Sequence, residues 1–288
     1  MRLKAKAKIN WSLDITGIRE DGYHLMDMLM QPVELHDTIT LQSSDDLSLT
    51  TGGTPLLKAD DRHLAMRAAR LLKNATGYSG GASISVYKRI PVGAGLGGGS
   101  ADAAAVLWGL NQLWGTGLSL PALEQLGLSL GADIPFCLRG GLTRTRGIGE
   151  EMENLPCGRL FPLVIIQPCR GLSTRDVFGA FRLSDVLVHP DTDISAGALA
   201  SGDLVPLRRS LGNVLQPVSV QMRPDIGTCI RKLKESGAEI ALMTGSGSAV
   251  FGVFRTISRA RVAFSSLVLQ WPFTFLTQTA LTSIDMDN

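Results

Sequence analysis

The segment Pro91-Val-Gly-Ala-Gly-Leu-Gly-Gly-Gly-Ser100 concentrates glycine directly ahead of an Ala- and Leu-rich stretch, Ala101 to Trp114, that reads as a helix. Glycine lets backbone N–H groups approach a ligand closely, and a helix start adds unpaired N–H groups and the positive end of its dipole. The chemistry such a loop suits is phosphate binding. The dipole alone contributes about 0.3–1 kcal/mol, with direct hydrogen bonds beyond it. Ser100 is placed to N-cap the helix. Asp102 would repel a phosphate set beside it, so its carboxylate is expected to point away or toward a cation. The loop is not a Walker A sequence, because no Gly-x-x-x-x-Gly-Lys-Ser/Thr occurs. Gly93, Gly95 and Gly98 do satisfy Gly-x-Gly-x-x-Gly, but a run this rich in glycine does so by chance. A dinucleotide fold would also place a strand after the helix, where the pattern here places a second helix.

Other residues with chemical potential have ordinary readings beside the interesting ones. Lys8 and Asn10 lie two apart on one face of an alternating segment, and alternation alone reads them as a solvated strand edge shared with Lys4 and Lys6. Asp133, ahead of Ile134-Pro135, reads as a helix N-cap. Tyr23 and His24 follow a turn, Phe178 fits the core face of a helix beside Phe181, and Gly245-Ser246-Gly247 reads as a hairpin turn. No Gly-x-Ser-x-Gly nucleophile elbow occurs, and no closely spaced carboxylate pair suggests glycosidase chemistry.

The elements that must position these residues follow from periodicity. Leu3, Ala5, Ala7, Ile9, Trp11, Leu13 and Ile15 alternate with polar residues, which predicts a half-buried strand. A turn at Arg19–Gly22 leads to a second extended stretch from His24 to Leu41, with turns at Asp45-Asp46 and Gly52-Gly53. Helical spacing predicts helices over 60–74, 101–114, 120–130, 173–183, 224–236 and 259–269. Strands are expected over 83–87, 160–167, 238–243, 248–254 and 273–277. A boundary near Leu155-Pro156 divides the chain into domains 1–155 and 156–288, and the mixture of hairpins and helices favours α+β over a regular βαβ array. The stretch Ser184–Asp203 matches no motif, and Asn213-Val-Leu-Gln216 takes no chemical role from sequence alone.

Composition bounds the function. The chain has 288 residues, enough for one large domain or two ordinary ones without a metal or disulfide staple. Its 44% hydrophobic and 19% charged content excludes a disordered polyelectrolyte. A formal net charge of +2 is a poor footprint for nucleic acid, although a local cluster can hold a small charged substrate. Cys137, Cys157, Cys169 and Cys229 form no Cys-x-x-Cys pair, and His24, His36, His63 and His189 are scattered, so zinc and thioredoxin-like sites are unsupported. Dispersed thiols and a start without an apolar leader fit a cytoplasmic protein. The apolar stretch 262–276 is shorter than the roughly 20 residues of a membrane span.

The glycine segment, continued through Ala101-Asp-Ala-Ala104, resembles the ATP-binding motif of the GHMP kinases. Ala7-Lys-Ile-Asn10 resembles the opening motif of that family, and Met243-Thr-Gly-Ser-Gly-Ser-Ala-Val-Phe251 its third motif. Asp21-Gly-Tyr-His24 and Leu130-Gly-Ala-Asp-Ile-Pro-Phe136 narrow the resemblance to members acting on a cytidine-diphosphate substrate. The resemblance runs in consistent order from about residue 4 to 277. It implies a two-domain α+β fold: an N-terminal domain like ribosomal protein S5 domain 2 and a ferredoxin-like C-terminal domain. The implied reaction is ATP-dependent phosphorylation of the 2-hydroxyl of 4-diphosphocytidyl-2-C-methyl-D-erythritol, a step of non-mevalonate isoprenoid biosynthesis, with Mg²⁺ accompanying ATP.

By the same resemblance Lys8 stabilises transferring charge and Asp133 is the general base. ATP falls to Pro91, Gly93, Gly95, Leu96, Gly97, Gly98, Gly99, Ser100 and Ala101, with Ser100 the one candidate metal ligand. Substrate contacts fall to Asn10, Tyr23, His24, Phe178, Gly245, Ser246 and Gly247, Tyr23 and Phe178 sandwiching the cytosine. His63 stands where the family often has Asn, which puts an adenine contact there in doubt. The alternatives are a GHMP kinase of homoserine or phosphomevalonate type, a dinucleotide-dependent oxidoreductase and a non-catalytic binding protein of kinase fold. A monomer and a homodimer both stay open.

Overall fold

The computed structural model describes residues 1–53 and 58–287. The N-terminal half opens with strands β1 (Arg2–Ile18), β2 (His24–Ser44) and β3 (Ser48–Gly52), then helix α1 (Leu64–Thr76) and β4 (Gly81–Tyr87). Helices α2 (Gly98–Leu113), α3 (Leu120–Leu128) and α4 (Ile134–Arg139) lead into the hairpin of β5 (Leu142–Gly147) and β6 (Glu151–Leu155). The C-terminal half contains β7 (Pro162–Ile166), then α5 (Thr174–Ala180), α6 (Thr192–Ser201), α7 (Leu204–Ser210), α8 (Gln216–Met222) and α9 (Pro224–Glu235). It closes with β8 (Ile240–Met243), β9 (Val250–Val253), α10 (Ile257–Leu267), β10 (Thr274–Gln278) and β11 (Ile284–Met286).

Among the described residues these strands form two sheets. One runs β11-β1-β2-β4-β3, with β5 branching from β2 and β6 pairing β5; the other runs β10-β7-β9-β8. All pairs are antiparallel except β3 with β4. The sheets change over between Leu155 and Pro162, but β11 returns to pair with β1, so the last strand lies in the first sheet. Lys6 helps hold it there, its ammonium 2.7 Å from Asp285 and 3.0 Å from Glu34.

The opening strand departs from the half-buried expectation in a way that matters for the site. Lys6, Lys8, Asn10, Ser12 and Asp14 are all at most 6% exposed. The apolar residues between them do not share one core. Leu3, Ala5, Leu13 and Ile15 pack in the cluster that holds Leu72 of α1 and Leu107 of α2, whereas Ala7, Ile9 and Trp11 pack against residues of the second sheet. Trp11 meets Phe161 and Phe251 edge-on, with ring centroids 5.3 and 5.7 Å away. The cause is two register slips against β2, between Lys6 and Lys8 and between Asn10 and Ser12. At the first, two steps along β1 pass four along β2; at the second, two along β1 pass one along β2; such irregularities break the regular alternation locally and re-aim side chains. The reversed window contains Lys8 and Asn10, so these two turn toward the helices while Lys6 keeps the other side.

Other boundaries shift for local reasons. Helix α1 starts at Leu64, four residues later than periodicity predicts, because Asp60 accepts the N–H of Arg62 in a preceding turn and His63 is the N-cap. Helix α3 stops at Leu128, and α5 is shorter at both ends than its pattern suggests. The motif-free stretch 184–203 contains α6, capped by Asp191, which accepts the N–H of Ile194 at 2.9 Å. Cys229 is buried and its thiol pushed up to about 12 by that burial, in keeping with a structural rather than a reactive cysteine.

The cap on α1 is a histidine, and that makes it sensitive to acid. Its Nδ1 accepts the N–H of Ala65 at 3.2 Å, which needs an unprotonated nitrogen. Burial, then the nearby Lys88, lowers the pKa of this imidazole. A histidine whose pKa is lowered on folding favours the unfolded chain when protonated, so its stabilisation is present above the unfolded value of about 6.5 and lost below it. His63→Asn retains an acceptor at the cap without the titration. Urea denaturation at about pH 7.5 and about pH 5.5 should show the wild type losing more stability than His63→Asn as the pH falls through about 6.5. Equal losses would exclude this role.

Candidate active site

A cavity of about 690 Å³ opens where the two halves meet. Its floor is the glycine loop from Pro91 to Ser100, every residue of which lines it. Lys8 and Asn10 of β1 form one wall with Asp133; Gly245 and Ser246, between β8 and β9, form the other with Thr174 and Phe178 of α5.

The glycine loop starts its helix earlier than a Ser100 cap allows. Gly97 is the N-cap, in the left-handed conformation at φ 70°, and Ser100 is the third residue of α2. Glycine is required at 97 for two reasons, since a Cβ there would also lie 3.0 Å from Lys8 Cγ. The N–H of Ala101 closes the first turn onto Gly97 O at 2.8 Å. The N–H groups of Gly98, Gly99 and Ser100 therefore precede the first intrahelical bond and are available to an anion. Ala101 itself is buried and does not line the cavity. At Gly95 a Cβ would fall 2.2 Å from Thr244 O, so the two glycine loops, one from each half, touch through bare backbone.

Lys8 and Asp133 converge, their ammonium and carboxylate 3.6 Å apart. Asp133 precedes α4 at the cap position, yet its side chain caps nothing, which leaves the carboxylate to the cavity. Lys8 is 6% exposed at its side chain and Asp133 is 38% exposed, so the cation is fixed and the carboxylate is open to a ligand. The ammonium also donates to Asn10 Oδ1 at 2.7 Å. Asn10 is held in turn by its own N–H on Thr244 Oγ1 at 2.9 Å. The opening strand thus sets Lys8 with help from the far half of the chain.

The aromatic residues are arranged differently from the expected sandwich. Tyr23 sits on the turn joining β1 and β2, 58% exposed, with the Arg19 guanidinium 5.5 Å from its ring centre, and does not line the cavity. The ring beside Phe178 is that of His24, edge-on at 5.1 Å, with Phe181 at 5.9 Å on its other flank. Gly247 also lies outside the lining; its N–H donates to Thr244 O and shapes the turn beneath Ser246.

One supporting residue escapes sequence reasoning. Asn213, in a segment that takes no chemical role from sequence, donates from Nδ2 to Met243 O at 2.9 Å and to Gly245 O at 2.8 Å, while its Oδ1 accepts the N–H of Leu215. It holds the second glycine loop in place from behind. Asp102 does point to a cation, as its conflict with a phosphate requires: Lys88 Nζ lies 2.6 Å from its Oδ2. Burial drives the Asp102 carboxyl well above the usual range, against the opposing pull of Lys88. Among the described residues no group of three His, Cys, Asp or Glu side chains could hold a metal, and no helix is long and apolar enough to cross a membrane.

Known proteins share both the sequence and the shape. The family description "GHMP kinases N terminal domain" matches residues 63–141, and "GHMP kinases C terminal" matches residues 195–269. The 4-diphosphocytidyl-2-C-methyl-D-erythritol kinase of Alkaliphilus metalliredigens is 39% identical over 280 residues, covering 97% of this chain and 96% of its own. The enzyme of the same name from Pelotomaculum thermopropionicum is 44% identical over 260 residues, covering 89% and 90%. A crystal structure of a 4-(cytidine 5'-diphospho)-2C-methyl-D-erythritol kinase superposes with a TM-score of 0.85 at 33% identity, covering 97% of this chain and 99% of that one. Homoserine kinase from Cytophaga hutchinsonii has a TM-score of 0.78 at 18% identity, over 99% of this chain and 96% of its own, and shares the fold.

Asn213 gives a test that does not depend on activity. Asn213→Ala leaves the carbonyls of Met243 and Gly245 without their donor, at about 1–3 kcal/mol for each unsatisfied buried group. Urea unfolding should register a loss of at least about 1 kcal/mol, with faster amide exchange at residues 244–249. A variant as stable as the wild type would remove Asn213 from this role.

Proposed function

The chain belongs to the GHMP kinase family, and from that premise we propose that it transfers the γ-phosphoryl group of ATP to the 2-hydroxyl of 4-diphosphocytidyl-2-C-methyl-D-erythritol. The observation that carries the mechanism is the 3.6 Å approach of Lys8 to Asp133 beside the glycine loop. The loop from Gly93 to Ser100, with the free N–H groups at the start of α2, holds the nucleotide phosphates. The substrate alcohol sits between Asp133 and the γ-phosphorus. Asp133 accepts the hydroxyl proton as the new O–P bond forms and the bond to the β-phosphate oxygen breaks, releasing ADP. Lys8, fixed by Asn10, stabilises the forming alkoxide and the charge on the transferring group.

Mg²⁺ would find a hard hydroxyl oxygen at Ser100, which lines the cavity at the loop's end. When bound it supplies neutralisation of phosphate charge. The cytidine lies toward Phe178, His24 and Tyr23. Phe178 lines the cavity and His24 lies edge-on beside it, while Tyr23, on its exposed turn, would have to move in to reach the base. Gly245 and Ser246 supply donors near the substrate diphosphate, with Gly247 shaping their turn.

Two variants test the assignment. Asp133→Asn should bind ATP normally, by nucleotide titration, while turnover falls by about 10²–10⁴-fold. Unchanged turnover would remove Asp133 from the chemistry. Phe178→Ala should raise KM for the cytidine substrate by about tenfold or more, the loss of a stack worth roughly 1–3 kcal/mol, and leave KM for ATP alone. A change confined to ATP would contradict the placement of the base.

A further inference from the structure

The chain leaves β4 at Tyr87 and must turn from sheet into glycine loop within three residues. The ladder with β2 ends at the Thr38–Tyr87 rung. Beyond it, one side chain of β2 takes over. Asp37 Oδ1 accepts the N–H of Arg89 at 2.5 Å and that of Ile90 at 2.8 Å. Its Oδ2 receives the ammonium of Lys88. The same ammonium donates to Asp102 Oδ2 at 2.6 Å, one turn into α2. One carboxylate of the sheet therefore grips the entry to the glycine loop, and through Lys88 it grips the helix that ends the loop. Residues 91–101 are suspended between these two anchors.

The three charged side chains are at most 2% exposed. Burying an ammonium is expensive, and it is two carboxylates that hold this one. This set spans the two ends of a loop whose glycines have no side chains of their own to fix it. Asp37 does not line the cavity, whereas Lys88 and Asp102 do. Any influence of Asp37 on a ligand must then travel through the backbone N–H groups and the Lys88 ammonium that it holds.

We propose that Asp37 is a positioning residue for phosphoryl transfer: through Arg89, Ile90 and the Lys88–Asp102 bridge it fixes the span of the glycine loop, so that the N–H groups of Gly98 to Ser100 face the nucleotide phosphates before ATP arrives. The inference rests on the reading of that loop as the ATP site. It assigns preorganisation of the loop to a residue that touches neither substrate.

Asp37→Asn is the test. The amide keeps the shape and an acceptor for the two N–H groups, but turns a donor toward the Lys88 ammonium and breaks the bridge. KM for ATP should rise by about tenfold or more, as expected when a binding loop loses its preset geometry, while kcat and KM for the alcohol stay within about twofold. Hydrogen exchange should quicken at residues 89–101 and stay slow in β4. A folded Asp37→Asn with unchanged ATP KM and unchanged exchange overturns the proposal. So does a parallel loss in kcat and both KM values, which would mark a general structural defect. If Asp37→Asn does not fold, Asp102→Ala cuts the bridge at the helix end only, and the same ATP-selective rise must appear there or the proposal fails. Titration of the wild type with ATP separates this inference from its premise: no nucleotide binding at all refutes the ATP site, while normal binding in wild type and variant alike refutes the positioning role alone.

Discussion

A buried ammonium on the first strand and a half-exposed carboxylate ahead of a six-residue helix stand 3.6 Å apart, and the rest of the architecture exists to bring them there. Lys8 cannot reach Asp133 from a regular strand with the facing that Lys4 and Lys6 have. Two register slips between β1 and β2 flank a short window in which facing is reversed, and that window contains Lys8 and Asn10. The same reversal sends Ala7, Ile9 and Trp11 into the core shared with the second sheet. The same window thus aims the Lys8 ammonium into the cavity and sets apolar residues between the two halves of the molecule.

The glycine loop follows a similar economy. It has little side-chain material, because Gly95 and Gly97 are where backbone and a lysine stem pass too close for a Cβ. A loop so bare has no internal packing to define its shape. Definition comes from outside: Asp37 and Lys88 at its entry, Asp102 at its exit, and the N–H of Ala249 on Ala94 O at 3.0 Å from the opposite half. Asn213 does for the second glycine loop what Asp37 does for the first.

Much of this was legible in the sequence. Glycine density ahead of an Ala-rich helix announced an anion site, and the motif resemblance paired Lys8 with Asp133 across 125 positions of chain. The conflict between Asp102 and a phosphate left its carboxylate to point away or toward a cation, and it takes the second course. What could not be read depends on pairing between distant segments. A register slip leaves no mark in a perfectly alternating stretch, so Lys6 to Asp14 looked solvated on their polar face when they are buried and two of them, Lys8 and Asn10, line the cavity. The supporting roles of Asp37 and Asn213 are contacts with backbone carbonyls and N–H groups that carry no residue signature. The return of β11 to the first sheet is a long-range pairing of three residues, too short to show periodicity. Tyr23 shows the opposite limit: a motif names it, and the fold leaves it on an exposed turn.

If Lys8 and Asp133 act as a unit on one hydroxyl, their contributions cannot be independent. The most direct measurement is a double-mutant cycle on single-turnover phosphoryl transfer, using Lys8→Met, Asp133→Asn and the double variant with ATP and the cytidine substrate both saturating. Residues that act together lose about as much singly as jointly, so the double variant should be no more than about tenfold slower than the worse single variant. Losses that multiply across the cycle would mean that the two groups work apart, and would contradict the account.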